Sequence, residues 1–345
     1  MSKDFNFMVT GVGSLPLTDA AEACELVFQY VEEAPHWPQL PRIGENEGML
    51  QQFTEGMPGL VRENGRVFLK PLEPYDEWER FYTAYEEGDL SAFSIGNDRA
   101  RGLHRFMEEL SRRARPRYVK GQVTGPITLG LSLRDEHGAS VFFDGDLRDM
   151  LVKLVTMKAR WQEELFRRTL PDVETIMFID EPTLTSYGSA FMNVNRQSVI
   201  AALTEVAQGL EGLTGVHICG TTDWPMIMEV GLDIINFDAF TYLSSFVLYP
   251  KELKAYLERG SAVAWGIVPT DEEALDGTDA TELAERLGAT LDELVGEGMQ
   301  SDMLYQRSLV TPSCGVGSLS ESGARCAYEM THDVSALLRA KFGGG

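Results

Sequence analysis

The sequence predicts an α/β protein, a single (β/α)8 TIM barrel with an insertion between strands 2 and 3. Three observations carry this prediction. Short β-rich runs alternate with longer amphipathic helical runs, the pattern of βα units on a parallel sheet. Eight such runs fit within 345 residues, the length of one large barrel with its excess in loops. No G-x-G-x-x-G follows any of them, which disfavours the doubly wound dinucleotide fold.

The expected strands are Met8–Val12, Gln39–Ile43, Tyr118–Thr124, Thr175–Ile179, Gly215–Ile218, Ile234–Phe237, Ala262–Ile267 and Ser308–Thr311. Each is short, apolar and bounded by Gly, Pro or polar residues. Between the first two, Ala20–Glu33 reads as a helix with Cys24, Leu26 and Val27 near one stripe. The long stretch Glu45–Arg117 is the expected insertion. Leu147–Phe166 places Met150, Leu151, Leu154, Met157 and Trp161 at helical spacing, and the acids of Asp144–Asp149 suit the positive end of its dipole. Thr281–Leu294 and Glu321–Leu338 read as further amphipathic helices. Residues 1–342 are therefore expected to form one barrel domain, with 343–345 a loose glycine tail.

Composition narrows the function classes. With 30 Lys+Arg against 53 Asp+Glu the net charge is −23, which disfavours nucleic acid and anionic membrane as partners. No apolar run approaches the roughly 18 to 20 residues of a membrane helix, and the start M-S-K-D-F-N-F lacks a secretory signature. The expected location is cytoplasmic, where the four cysteines stay reduced.

A barrel of this kind builds its active site at the carboxyl ends of its strands. Those positions hold Gly13 and Ser14, then Glu45 and Glu47, then Thr124 before Gly125-Pro126, then Asp180 and Glu181, His217 and Cys219, Asp238, and Cys314. His217, Cys219 and Cys314, with Asp238 as a fourth candidate, form a metal set. Imidazole and thiolate suit tetrahedral zinc, and H-x-C at a strand end projects both side chains to one side. Three protein ligands and one exchangeable position would make the site catalytic. Asp180 and Glu181 are adjacent, so only one is expected to enter the pocket. Asp180 is favoured, to hold an amino group or tune a base, although an N-cap role before Pro182 is the plain alternative. Gly13 and Ser14 suit carboxylate binding through backbone N–H groups and the hydroxyl, or else a simple turn. Cys24 and Cys326 read as core residues, and His36, His104, His137 and His332 as surface or packing residues.

The strand-end motifs V-G-S-L-P (12–16), T-G-P-I-T (124–128), I-D-E-P (179–182), H-I-C (217–219) and P-S-C-G (312–315) resemble, in order, those of the catalytic domain of cobalamin-independent methionine synthases. The broader relatives are the uroporphyrinogen decarboxylase and corrinoid-dependent methyltransferase barrels. The resemblance spans Thr10 to Gly317. It implies a zinc-dependent methyltransferase whose metal binds the acceptor thiol, with His217, Cys219 and Cys314 as ligands. The family's fourth ligand is a Glu on strand six, where this chain has the shorter Asp238. Homocysteine would place its carboxylate near Gly13 and Ser14. Its amino group would lie near Asp180 and a strand-two carboxylate, Glu45 or Glu47.

Two departures bear on the methyl donor. Full-length members of the family carry a second barrel, and this chain has the length of one. The family also has a His after strand seven, assigned to protonate the folate leaving group, where this chain reads W-G-I-V-P-T-D. A methyl-corrinoid releases Co(I) without a proton, so the expected donor is a methylcobamide on a corrinoid protein rather than methyl-folate. The alternatives are a methylcobamide:coenzyme M-type thiol methyltransferase, whose acceptor lacks an amino group, and a non-catalytic zinc or thiol-binding barrel. A porphyrinogen-type decarboxylase fits less well, because that chemistry uses no zinc thiolate site.

Overall fold

The structure, a computed structural model, describes residues 3–63, 66–189 and 192–343. Gly344 and Gly345 of the expected tail lie outside the described residues. Nine strands are described: β1 (Met8–Val9), β2 (Leu60–Glu63), β3 (Arg66–Leu69), β4 (Tyr118–Thr124), β5 (Glu174–Asp180), β6 (Leu213–Ile218), β7 (Ile234–Asp238), β8 (Ala262–Val268) and β9 (Ser308–Pro312). Seven form one curled parallel sheet in the order β1-β9-β8-β7-β6-β5-β4. Helices separate successive sheet strands, as parallel connections require.

Six of the eight expected strands appear within two residues of their anticipated ends, and the first is shorter, Met8–Val9. The second is displaced. The chain does not form a strand over Gln39–Ile43; residues 41–43 are a turn. An irregular extended segment over residues 33–39 joins the free edges of β1 and β4. Tyr118 and Lys120 donate to the Glu33 and Pro35 carbonyls, both at 2.9 Å, while Gln39 exchanges bonds with Gly13 (3.0 Å) and Leu15 (2.8 Å). Pro35, Pro38 and Pro41 explain the irregularity, since none has an N–H for a regular ladder.

Alternation along the strands sorts the core into two parts. Val119, Met177, Ile179, Val216, Phe237, Trp265 and Val310 belong to the large cluster that packs the helices. Tyr118, Ile176, Phe178, Ile234, Ala264 and Leu309 form a separate small cluster, the barrel interior. The same period of two places Lys120, Asp180, His217, Asn236 and Thr311 on the interior face above that apolar floor. All five are buried.

The helices follow their capping residues. Asp19 opens Ala20–Tyr30, accepting from the Ala21 and Glu22 N–H groups, and Asp144 opens Gly145–Thr169 in the same way. The last helix runs Glu321–Phe342 and buries Ala324, Ala327, Tyr328 and Thr331. Cys326 falls off that stripe and is exposed, so the core reading of this cysteine is wrong; Cys24 is buried as expected. Residues 45–117 contain the antiparallel β2–β3 hairpin, the helices Tyr75–Glu87 and Arg101–Leu110, and three single turns of 3-10 helix. No described helix is long and apolar enough to cross a membrane.

Candidate metal centre

Two strand ends, those of β6 and β9, converge on one set of soft donors. The ligand atoms of His217, Cys219 and Cys314 lie within 4.8 Å of one another, and Cys314 Sγ is 3.6 Å from His217 Nε2. His217 is the penultimate residue of β6, so Cys219 two residues on projects to the same side. Cys314 follows β9 in a loop held by Ser313, whose N–H donates to the Val268 carbonyl at 2.7 Å. The His217 Nδ1–H donates to Asn236 Oδ1 at 2.6 Å, leaving Nε2 to face the sulfurs. Asn236 was not singled out in the sequence. The signal was there in the alternation of I-I-N-F-D, which puts it on the interior face beside His217.

The three groups share their protons unevenly: the Cys219 sulfur and burial push the Cys314 thiol far up. Hydrogen bonds from Cys314 and His217 hold the Cys219 thiol down to about 4, against the opposing effect of burial. Burial would depress the His217 imidazole, but Cys219 and Asp180 hold it above its ordinary range.

Asp238 stands apart from this set. Its carboxylate caps the helix Ala239–Phe246, accepting from the Thr241 N–H at 2.9 Å. A side chain one methylene longer would have more reach past that cap.

The trio forms one end of a cavity of about 140 Å³, which Ser14, Gln39, Glu47, Met49, Asp180 and Gly315 also line. Glu47 is 2% exposed, whereas the Glu45 side chain is 75% exposed and lies 4.0 Å from Arg62. Only Glu47 of the two faces the cavity. Ser14 lines it and Gly13 does not; Gly13 instead accepts the Gln39 N–H. Gly315 approaches Ser14 so closely that a Cβ there would sit 2.1 Å from the hydroxyl oxygen. Thr124 is buried behind the wall and donates to the Met49 carbonyl at 2.7 Å, which fixes Met49 at the cavity. Gln39 and Met49 are lining residues that the sequence reading did not single out.

Two of the lining carboxylates each leave one oxygen without a partner. Asp180 Oδ1 and Glu47 Oε2 are buried and have no hydrogen-bond partner among the described residues. The other Glu47 oxygen accepts the Arg101 N–H at 3.0 Å. Burial raises Asp180 to about 6, with His217 and Lys120 opposing, and burial raises Glu47 as well. Buried acceptors are normally satisfied, so a pair left open at one cavity marks a place for a donor from outside the chain. Lys120, buried beneath, is committed to the Val12 carbonyl at 2.8 Å and to Gln122 Oε1 at 3.1 Å.

No protein-family model matches the sequence, and no curated protein matches it. Solved structures do. A B12-independent methionine synthase from Shewanella sp. W3-18-1, in complex with selenomethionine, superposes with a TM-score of 0.60 over 97% of this chain and 98% of that one, at 16% identity. The chain has a methionine-synthase-like barrel fold. A methyltransferase from Methanosarcina mazei aligns with a TM-score of 0.56 over 92% of this chain and 87% of that one, at 15% identity. At these identities the methionine-synthase-like match speaks for architecture, and the chemistry rests on the residues in the cavity.

Proposed function

We propose that the protein is a zinc-dependent methyltransferase that methylates the sulfur of an amino-acid thiol, homocysteine giving methionine. The observation that carries this reading is the shared cavity: a His/Cys/Cys donor set at one end and two unpartnered carboxylate oxygens beside it. The donor set fits zinc by its chemistry, two sulfurs and an imidazole nitrogen whose tautomer is already fixed. His217, Cys219 and Cys314 would hold the ion, and Asp238 would have to leave its helix cap to join them. Bound there, zinc would keep an entering thiol as its thiolate, which a free alkyl thiol with a pKa near roughly 8.5 is not at neutral pH.

The chain's own residues then select and orient the acceptor. Asp180 and Glu47 receive an ammonium group, and the Ser14 hydroxyl with the adjoining loop backbone receives a carboxylate. Together they fix a short amino acid with its sulfur toward the cysteines. A mercaptosulfonate such as coenzyme M would leave both carboxylates unanswered and close to an anion, so the amino-acid thiol is favoured. In the transfer, the acceptor sulfur forms a bond to the donor methyl carbon, and the electron pair of the old bond leaves with the donor. Residues 266–271 read G-I-V-P-T-D, with no imidazole to protonate a folate amine. That supports a methylcobamide on a corrinoid protein as donor, since Co(I) departs with the pair and needs no proton.

The test is a paired assay on zinc-loaded protein with homocysteine and either methylcobalamin or methyl-tetrahydrofolate. Methionine from methylcobalamin is the expected product. Transfer from methyl-folate alone would overturn the donor assignment. Tight zinc and homocysteine binding without turnover from either donor would favour a non-catalytic thiol-binding barrel.

A further inference from the structure

We propose that Asn236 is the positioning residue of the metal centre: it fixes the tautomer and ring plane of His217 so that Nε2, and not Nδ1, is the metal donor. The inference rests on the zinc reading of the His217, Cys219 and Cys314 cluster and adds to it a residue outside the ligand set.

The geometry is over-determined. Asn236 is fully buried on β7, directly across the ladder from His217 on β6. Its side-chain NH2 group spends both hydrogens, on the Ala264 carbonyl and on Thr311 Oγ1, each at 2.8 Å. Its amide oxygen is thereby turned to His217, and Nδ1–H donates to it at 2.6 Å. Flipping the amide would set an oxygen against the Ala264 carbonyl and an N–H against the ring, so only one orientation satisfies all four groups. Three strands, β7, β8 and β9, thus brace the one imidazole of the trio.

The residue type has a chemical consequence. Histidine ligands commonly donate their second N–H to a carboxylate or carbonyl, which orients the ring and raises its basicity. An amide oxygen orients without adding charge. With a metal bound, both cysteines would be thiolates, and a further anion on His217 would weaken the Lewis acidity available to the acceptor thiol. Asn at 236 gives the alignment without that penalty.

The experiment measures metal binding apart from methyl transfer. Zinc affinity, by competition with a chromophoric chelator, is expected to fall about 10- to 100-fold in Asn236→Ala, the range for losing such an outer partner. Asn236→Asp, which restores an acceptor, is expected to bind zinc within a few-fold of wild type while its methyl-transfer kcat drops. If Asn236→Ala does not fold, Thr311→Val, which releases one hydrogen of the amide, should show a smaller loss in the same direction. In zinc-loaded wild type, nitrogen NMR of the His217 ring should show a protonated Nδ1. A metallated Nδ1, or unchanged zinc affinity in a folded Asn236→Ala, overturns the inference. Wild-type protein that binds no zinc overturns instead the reading on which it rests.

Discussion

Asp180 and Glu181 are neighbours in the chain with opposite employment. The Glu181 carboxylate closes the start of the helix Pro126–Ser132, accepting from the Ile127 N–H at 2.9 Å, the Thr128 N–H at 2.7 Å and the Thr128 hydroxyl at 2.6 Å. Asp180, one residue earlier at the end of β5, lines the cavity and leaves its buried Oδ1 with no partner among the described residues. One acid serves the fold and the other waits for a ligand. Glu181→Ala should therefore lower stability by about 3 kcal/mol, the order expected when several buried donors lose their acceptor. Asp180→Asn should leave the urea midpoint unchanged or higher and raise KM for homocysteine. Urea unfolding and steady-state kinetics on both variants check the pair, and a reversed pattern would refute it.

Glu47 and Glu45 separate in the same manner. Loss of a charged partner to the substrate ammonium is worth roughly 1.5–3 kcal/mol, so Glu47→Gln should raise KM for homocysteine about 10- to 100-fold. Glu45, exposed beside Arg62, should tolerate the same change with kinetics at wild-type values. Equal effects of the two substitutions would mean that the amino group binds elsewhere.

Cys314→Ser should remove zinc and thiol methylation together while circular dichroism stays native, because the loop is held by Ser313 and not by the sulfur. Metal content by atomic absorption after dialysis gives the readout. A variant that kept stoichiometric zinc and full activity would exclude Cys314 from the centre.

His36 predicts an acid limb of the stability curve. Its ring is fully buried, donates Nδ1–H to the Trp37 carbonyl at 3.0 Å and accepts from the Tyr328 hydroxyl at 2.7 Å. Burial, helped by the Lys120 charge, pushes it down to about 3 from an ordinary 6.5. The unfolded chain thus takes up the proton first. The stability this group contributes is complete above pH 6.5 and is lost as pH falls toward 3, at about 1.4 kcal/mol per unit. His36→Gln should be less stable at pH 7 and lose less than wild type between pH 6.5 and 4.5. Urea midpoints that fall in parallel for both proteins would contradict this.

Much of the architecture was legible because parallel strands buried on both faces write themselves as apolar runs between polar caps; Tyr118–Thr124 is an example. The second strand was not, because its pairing is made by a proline-broken segment whose bonds come from neighbours, Tyr118 and Leu15 among them. Strand-end logic brought His217, Cys219, Cys314, Asp180 and Ser14 to one cavity. It could not choose between Glu45 and Glu47, which lie in one turn of 3-10 helix, since packing against Arg101 decides which is buried. Thr124 and Gly13 sit at the right heights but support the wall from behind. Asp238 was offered as a fourth candidate; in this structure its carboxylate caps the following helix, a role a strand-end acid followed by a helix also fills.

The proline-broken segment that joins β1 to β4 gives the cavity two differently built sides. His217, Cys219 and Cys314 hang from the contiguous β6–β9 ladder, where every neighbour is paired. Gln39, Glu47 and Met49 hang from the irregular stave and the turns after it. On the proposed function, Glu47 on the stave side and Asp180 on the ladder share the acceptor, while the metal donors lie on the ladder alone. On that reading, substitutions at Glu47 or Met49 are expected to change which thiol is accepted while the β6–β9 side keeps its pairing.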